Sequence, residues 1–138
     1  MKKKFIDPLI KRKANLTKNV QFYKKNIPLP SVVEISESGT CNRKCSFCPR
    51  SAPDFLDIKE FISEDLINKL SKELSLYDYS GIFLFSGFVE PMIDKNIYNL
   101  ISVVRSNLPK AKIEMVTNGD ALNKQRIENL FRSGLSTL

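Results

Sequence analysis

All three cysteines of the chain lie within eight residues, at Cys41, Cys45 and Cys48, and the sequence contains no histidine. Thiolates are soft ligands that select zinc, copper(I) or iron–sulfur clusters. A closed structural zinc site needs four ligands, usually cysteine or histidine, and this sequence supplies three of that kind. Three thiolates on one short loop suit a cubane iron–sulfur cluster in which one iron has no protein ligand. The loop therefore predicts a catalytic metal centre with an open coordination position.

Length and composition indicate one folded domain in a reducing compartment. With 138 residues, of which 42% are hydrophobic, the chain is long enough to bury a core without cross-links. An odd number of cysteines on one loop suits a disulfide framework poorly, so we expect a cytoplasmic protein. No run approaches the roughly 18 apolar residues of a membrane span, and the first residues lack the apolar segment of a signal peptide.

The positive charge is concentrated at the start of the chain. Residues 1–25 contain nine lysines and arginines against one aspartate, whereas residues 26–138 contain 13 against 14 acidic residues. We therefore divide the chain into a basic N-terminal extension, 1–30, and a core domain, 31–138. Such an arm could attract an anionic partner, such as nucleic acid, an acidic carrier protein or a lipid surface. The simpler interpretation is a solvated lead-in segment.

The core domain shows a regular alternation of strand and helix patterns. Two prolines at 27–30 are expected to break any regular element, and residues 49–62 are predicted to form turns over the cysteine loop. The predicted elements are strands at 31–36, 81–85 and 112–116, helices at 63–77, 95–107 and 123–132, and the start of a fourth strand at 135–138. This order predicts an α/β fold with a parallel sheet. We expect the sequence to be the first part of a larger barrel-like domain, with the third strand as an open edge.

Finer expectations concern burial within these elements. The strand at 81–85 is continuously apolar, which is typical of a strand buried on both faces. The first helix should turn one apolar face to the core, made by Leu66, Ile67, Leu70, Leu74 and Tyr77. For Phe47 a place in the core is one interpretation, and for Arg50 a solvated side chain is favoured over a role beside the metal centre.

Three distinctive segments follow the three predicted strands. They are the cysteine loop, Ser86-Gly-Phe-Val-Glu-Pro91 and Thr117-Asn-Gly119. Because parallel α/β barrels place reactive groups at the carboxyl ends of their strands, we expect these segments to meet at one face. The sequence therefore predicts a single site made from three loops.

The segments together resemble the motifs of the radical S-adenosylmethionine (radical SAM) enzymes. Cys41-x3-Cys45-x2-Cys48, with Phe47 before the last cysteine, looks like the signature of that family. The stretch 86–91 resembles its second motif, with Val89 where a second glycine is usual, and 117–119 resembles its third-strand ending. The resemblance implies that the parallel β/α units form roughly half of a partial TIM-like (β/α)6 barrel, of which this chain has the first three.

The resemblance also implies a cofactor set and roles for individual residues. Cys41, Cys45 and Cys48 would hold three irons of a 4Fe-4S cluster, and S-adenosyl-L-methionine would chelate the fourth. Reductive cleavage would give methionine and a 5′-deoxyadenosyl radical that takes hydrogen from an unknown substrate, with the electron from a partner such as flavodoxin or ferredoxin. The implied cofactor-binding residues are Phe47 through its backbone, Gly87 through close backbone approach, Glu90 through the ammonium group, and Asn118.

Two other functions fit the same sequence. One is a truncated, non-catalytic module that binds an iron–sulfur cluster, although full protein ligation would call for a fourth cysteine. The other is a truncated product without function. Glu90 could also be a surface carboxylate, and Thr117 and Asn118 could be turn residues without a ligand.

Overall fold

A computed structural model describes residues 14–15, 18 and 20–138 of the chain. Most of the predicted basic arm lies outside these residues, and the division at residue 30 stays a prediction. Within the described part the elements are β1 (Phe22–Tyr23), β2 (Ile27–Pro28), β3 (Val32–Ile35), β4 (Ser38–Gly39), β5 (Ile58–Phe61), α1 (Glu64–Ser75), β6 (Ile82–Phe85), α2 (Ile97–Asn107), β7 (Lys112–Met115) and α3 (Lys124–Arg132), with 3-10 turns at Pro49–Ser51 and Pro91–Ile93.

The central sheet has three parallel strands in the order β3-β6-β7. Val32 pairs with Ile82, and Ile82 in turn pairs with Lys112, so the three strands end at the same level. The connecting helices α1 and α2 pack against each other and cover one face. The predicted α/β fold with parallel β/α units is therefore confirmed.

The helices α1 and α3 each begin at a side-chain cap. Ser63 Oγ accepts a hydrogen bond from Leu66 N at 3.2 Å, and Asn123 Oδ1 accepts one from Arg126 N at 2.9 Å. Each cap satisfies an N–H that has no partner inside its helix. The apolar side chains of these elements form one core, whose buried members include Ile67, Phe83, Phe85, Ile97, Leu100, Ile101, Val104, Ile113 and Leu130.

The burial expected for α1 and β6 is only partly right. In α1, Ile67 is fully buried. Leu66 is 52% exposed, because it lies on the solvent-facing side of the helix, close to the cap. Tyr77, expected on the core face, is 38% exposed. In β6 the helix-facing face is buried, whereas Ile82 and Leu84 on the other face are half-buried. Their face is the one that the interior of a closed barrel would cover.

The outer edge of β7 is partly paired, which corrects the expected open edge. Met115 N donates to Thr137 O at 3.0 Å, and Ser136 N donates to Ile113 O at 2.7 Å. Glu114 and Thr137 form a parallel bridge. The chain after α3 therefore begins the fourth strand that the sequence predicts at 135–138.

Two short strand pairs were not predicted. β1 and β2 form an antiparallel hairpin in which Pro28 pairs with Phe22, so the prolines at 27–30 do not exclude a strand there. Lys24 and Lys25 make its turn with positive φ angles of 50° and 65°. β4 and β5 form a second antiparallel pair, so the segment 49–62 ends in a strand rather than in turns alone. The strands β1, β2 and β4 have two residues each, which is too few side chains to show the alternation that identifies longer strands.

No helix in the described ranges is long and apolar enough to cross a membrane.

Candidate cofactor site

The three predicted segments meet at the carboxyl edge of the sheet. Glu90 N donates to Thr40 O at 3.1 Å, which joins the loop after β6 to the start of the cysteine loop. Asn118 N donates to Glu90 Oε2 at 2.7 Å, and Asn118 Nδ2 donates to Asn42 Oδ1 at 2.7 Å. Each segment therefore contacts the other two through hydrogen bonds.

The cysteine loop holds its thiols half-buried and free of disulfides. Cys48 N donates to Cys45 O at 2.9 Å, which closes a tight turn, and Arg43 N lies 3.4 Å from Cys41 Sγ as a hydrogen-bond donor. Among the residues that the structure describes, no three side chains of ligand type surround the position of a single metal ion.

Glu90 lies beneath the site and is 1% exposed. Its Oε1 accepts hydrogen bonds from Met92 N at 2.9 Å and Thr117 Oγ1 at 2.6 Å, while Oε2 accepts from Asn118 N. The surface-carboxylate interpretation is therefore wrong, because both oxygens fasten the loop after β6 to the loop after β7. The predicted contact of Glu90 with the cofactor's ammonium group stays a prediction.

Gly87 occupies a position that a larger residue would strain. Its φ is +119°, and a Cβ atom at this position would collide with Ser36 Oγ. Ser36 Oγ donates to Ser86 O at 3.2 Å, which places the end of β3 against the end of β6. A side chain at position 87 would therefore clash with Ser36 at the end of β3, and the close approach of Gly87 to the cofactor stays a prediction.

Asn118 forms a turn and also reaches the cysteine loop. Its Oδ1 accepts from Asp120 N at 2.9 Å, and the next residue, Gly119, has a φ of +82°. Asp120 in turn accepts hydrogen bonds from Arg43 and from Asn42 Nδ2. The Arg43 guanidinium lowers the pKa of the Asp120 carboxyl, mainly through this hydrogen bond. The loop after β7 is thus tied to the cysteine loop by polar side chains.

Phe47 projects from the cysteine loop and is 90% exposed. The interpretation of Phe47 as a core aromatic is therefore wrong. Its predicted backbone contact with adenine stays a prediction.

Arg50 is a site residue that the sequence analysis assigned to solvent. It is 3% exposed, and its Nη1 donates to Gly39 O at 3.2 Å and to Phe88 O at 3.0 Å. Its Nη2 pairs with Asp57, and its guanidinium lies 4.9 Å from the centre of the Phe55 ring. The sequence signal for the burial of Arg50 was the presence of Phe55 and Asp57, which follow it by five and seven residues.

Glu37 is a second buried group that sequence reasoning missed. It is fully buried at the end of β3, and its Oε2 has no hydrogen-bond partner among the described residues. The pKa of Glu37 is raised from 4.5 to about 7, mainly by burial and to a smaller extent by the nearby carboxylates Asp94 and Glu90. Three acidic side chains therefore lie together behind the site.

A family model matches the part of the chain that contains these loops. The Radical SAM superfamily matches residues 35–138, which include all three segments. A curated relative, the S-adenosyl-L-methionine-dependent 2-deoxy-scyllo-inosamine dehydrogenase of Niallia circulans, is 30% identical over 105 residues, covering 76% of this chain and 42% of the relative. The GTP 3′,8-cyclase of Yersinia pestis is 29% identical over 89 residues, covering 63% of this chain and 26% of the relative.

Two solved structures share the fold. Crystal structures of BtrN in complex with AdoMet and 2-DOIA, and of BtrN in an open conformation, superpose with TM-scores of 0.73 and 0.70 at 29% identity. Each match covers 78% of this chain, and 43% and 47% of the BtrN chains respectively. The chain spans less than half the length of these relatives.

Proposed function

The chain belongs to the radical SAM superfamily, and from this membership we propose that it binds a 4Fe-4S cluster and S-adenosyl-L-methionine. Cys41, Cys45 and Cys48 would each ligate one iron, and S-adenosyl-L-methionine would occupy the fourth. One observation carries the proposal: three free, half-buried thiols lie on a loop that is hydrogen-bonded to the loops following β6 and β7.

The residues present fit such a cluster. A cubane takes one thiolate at each of three irons, so the three sulfur atoms need not surround a single ion. Arg43 N lies within hydrogen-bond distance of Cys41 Sγ, so the loop directs a backbone donor at one of the three sulfur atoms. The sequence offers no fourth cysteine and no histidine, which leaves one iron for a ligand from outside the protein.

When bound and reduced, the cluster would supply the electron for cleavage of S-adenosyl-L-methionine to methionine and a 5′-deoxyadenosyl radical, which would take hydrogen from the substrate. The protein's own contribution is to position the cofactor beside the cluster. Glu90 holds the loops after β6 and β7 together, and Gly87 keeps the loop after β6 close to β3. Phe47 and Asn118 are proposed to contact the cofactor from the cysteine loop and from the loop after β7.

The electron is proposed to come from a low-potential carrier such as flavodoxin or ferredoxin, in the reducing environment that free thiols need. The match to a dehydrogenase and to a cyclase supports hydrogen abstraction as the first step. The substrate stays unassigned, since this chain covers under half of either relative.

A non-catalytic cluster-binding module is the second candidate. Such a module would assemble the cluster and ignore S-adenosyl-L-methionine.

One experiment separates the two functions. The chain is reconstituted anaerobically with iron and sulfide, reduced, mixed with S-adenosyl-L-methionine and assayed for 5′-deoxyadenosine. The enzyme is supported by a cluster spectrum that changes on adding the cofactor, together with the nucleoside product. A cluster that is indifferent to the cofactor contradicts it. In Cys45→Ala the brown colour should be lost, whereas Ser46→Ala, a neighbouring exposed position, should keep it.

A further inference from the structure

We propose that Arg50 is a positioning residue that holds the loop after β6 in a fixed place against the cysteine loop. The inference rests on the proposed function, because these two loops would carry the cofactor and the cluster. In the proposed function, Arg50 would keep S-adenosyl-L-methionine in the correct position relative to the cluster.

The contacts of Arg50 connect two parts of the site. Nη1 donates to the carbonyl of Gly39, two residues before Cys41, and to the carbonyl of Phe88, which lies in the loop after β6. Arg50 itself follows Cys48 by two residues. One guanidinium therefore reaches both ends of the cysteine loop and the neighbouring loop.

Asp57 connects Arg50 to the strand pair β4–β5. Arg50 Nη2 pairs with Asp57, next to β5, and β5 pairs with β4. A Cβ atom at Gly39 would collide with the Ile58 carbonyl oxygen, so β4 and β5 lie in close backbone contact. Because the guanidinium is buried and held from this side, a shift of Phe88 would cost its hydrogen bond to Arg50.

Lysine cannot replace these contacts. The arginine fork places several N–H donors in one plane, whereas an ammonium group is a single point charge on a flexible stem. The substitution Arg50→Lys would keep the positive charge near Asp57, but the ammonium group could not reach both carbonyls in the same geometry. This variant therefore separates the positioning role from simple charge.

The first test uses the chain without cluster or cofactor. Amide hydrogen exchange is compared between wild type, Arg50→Lys and Asp57→Asn, with the exposed Arg132→Lys as the matched control. We expect faster exchange at residues 86–90 in the first two variants and wild-type rates in the control. Unchanged exchange at 86–90 in Arg50→Lys would overturn the inference.

The second test uses the reconstituted chain and the EPR spectrum of its reduced cluster, titrated with S-adenosyl-L-methionine. Losing one charge-assisted hydrogen bond should weaken cofactor binding about tenfold in Arg50→Lys, at unchanged iron content. Iron content that falls in step with cofactor binding in both Arg50→Lys and Asp57→Asn overturns the positioning role, since it indicates general loss of structure. A wild type that ignores the cofactor contradicts the proposed function instead, and the exchange test still decides whether Arg50 holds the loop.

Discussion

Glu90 accepts a hydrogen bond from Asn118 N at 2.7 Å across 28 residues of sequence. The acceptor lies in the segment after β6 and the donor lies in the turn after β7, so one buried carboxylate fixes the relative position of two loops. With Thr117 and Met92 as further donors, the carboxylate is satisfied within the protein. These three hydrogen bonds offset the cost of burying the polar side chain at the base of the site.

Glu90→Gln should destabilise the protein by about 1–3 kcal/mol, because an amide N–H₂ replaces one oxygen that accepts a backbone N–H. The measurement is the free energy of unfolding from urea titration. Glu128→Gln, an exposed glutamate on α3, serves as control and should change it little. Equal values for wild type and Glu90→Gln would contradict the role of this carboxylate.

Gly87→Ala should cost about 1–3 kcal/mol, since alanine at φ +119° is strained and its Cβ meets Ser36 Oγ. Thermal unfolding of the single variant and of the pair Ser36→Ala/Gly87→Ala separates the two causes. In the double variant, removing the Ser36 hydroxyl should restore the stability that the collision costs. The stability lost to backbone strain at position 87 should stay lost. If the pair recovers nothing, the close approach of these two residues is not the source of the cost.

The pH dependence of stability should report Glu37. Its pKa is raised from 4.5 to about 7 on folding, so the folded protein binds more protons than the unfolded chain between these values. The stability that the Glu37 shift contributes is therefore fully present below pH 4.5. It is lost as the pH rises to about 7, and the loss is at most about 3 kcal/mol.

Glu37→Gln removes this titration and should flatten the profile between pH 4.5 and about 7. The check is the unfolding free energy measured by urea titration at several pH values. Glu64→Gln, an exposed residue at the start of α1, should keep the wild-type slope. A Glu37→Gln profile as steep as that of wild type would show that another group titrates in this range.

The sequence was sufficient for the parts of the fold that depend on local patterns. The alternation of apolar strands with amphipathic helices predicts the parallel sheet, and Ser63 predicts the start of α1, because a cap acts on residues two or three positions away. The meeting of the three loops also follows, since carboxyl ends of parallel strands share one edge.

The rest depends on contacts that no local pattern contains. Arg50 is buried because two carbonyls and Asp57 surround it in three dimensions, although its sequence neighbours Pro49 and Ser51 are exposed. Glu37 is buried by packing against segments far along the chain, and Phe47 is exposed although it is aromatic. Each of these side chains is placed by tertiary structure rather than by its own preference.

The most direct test of the central claim is pulsed EPR of the reduced, reconstituted chain with S-adenosyl-L-methionine labelled with ¹⁵N in its amino group. If the cofactor occupies the iron that Cys41, Cys45 and Cys48 leave open, the cluster spectrum will show a hyperfine coupling that changes between ¹⁴N and ¹⁵N. A fully assembled cluster with no coupling to that nitrogen would contradict the account.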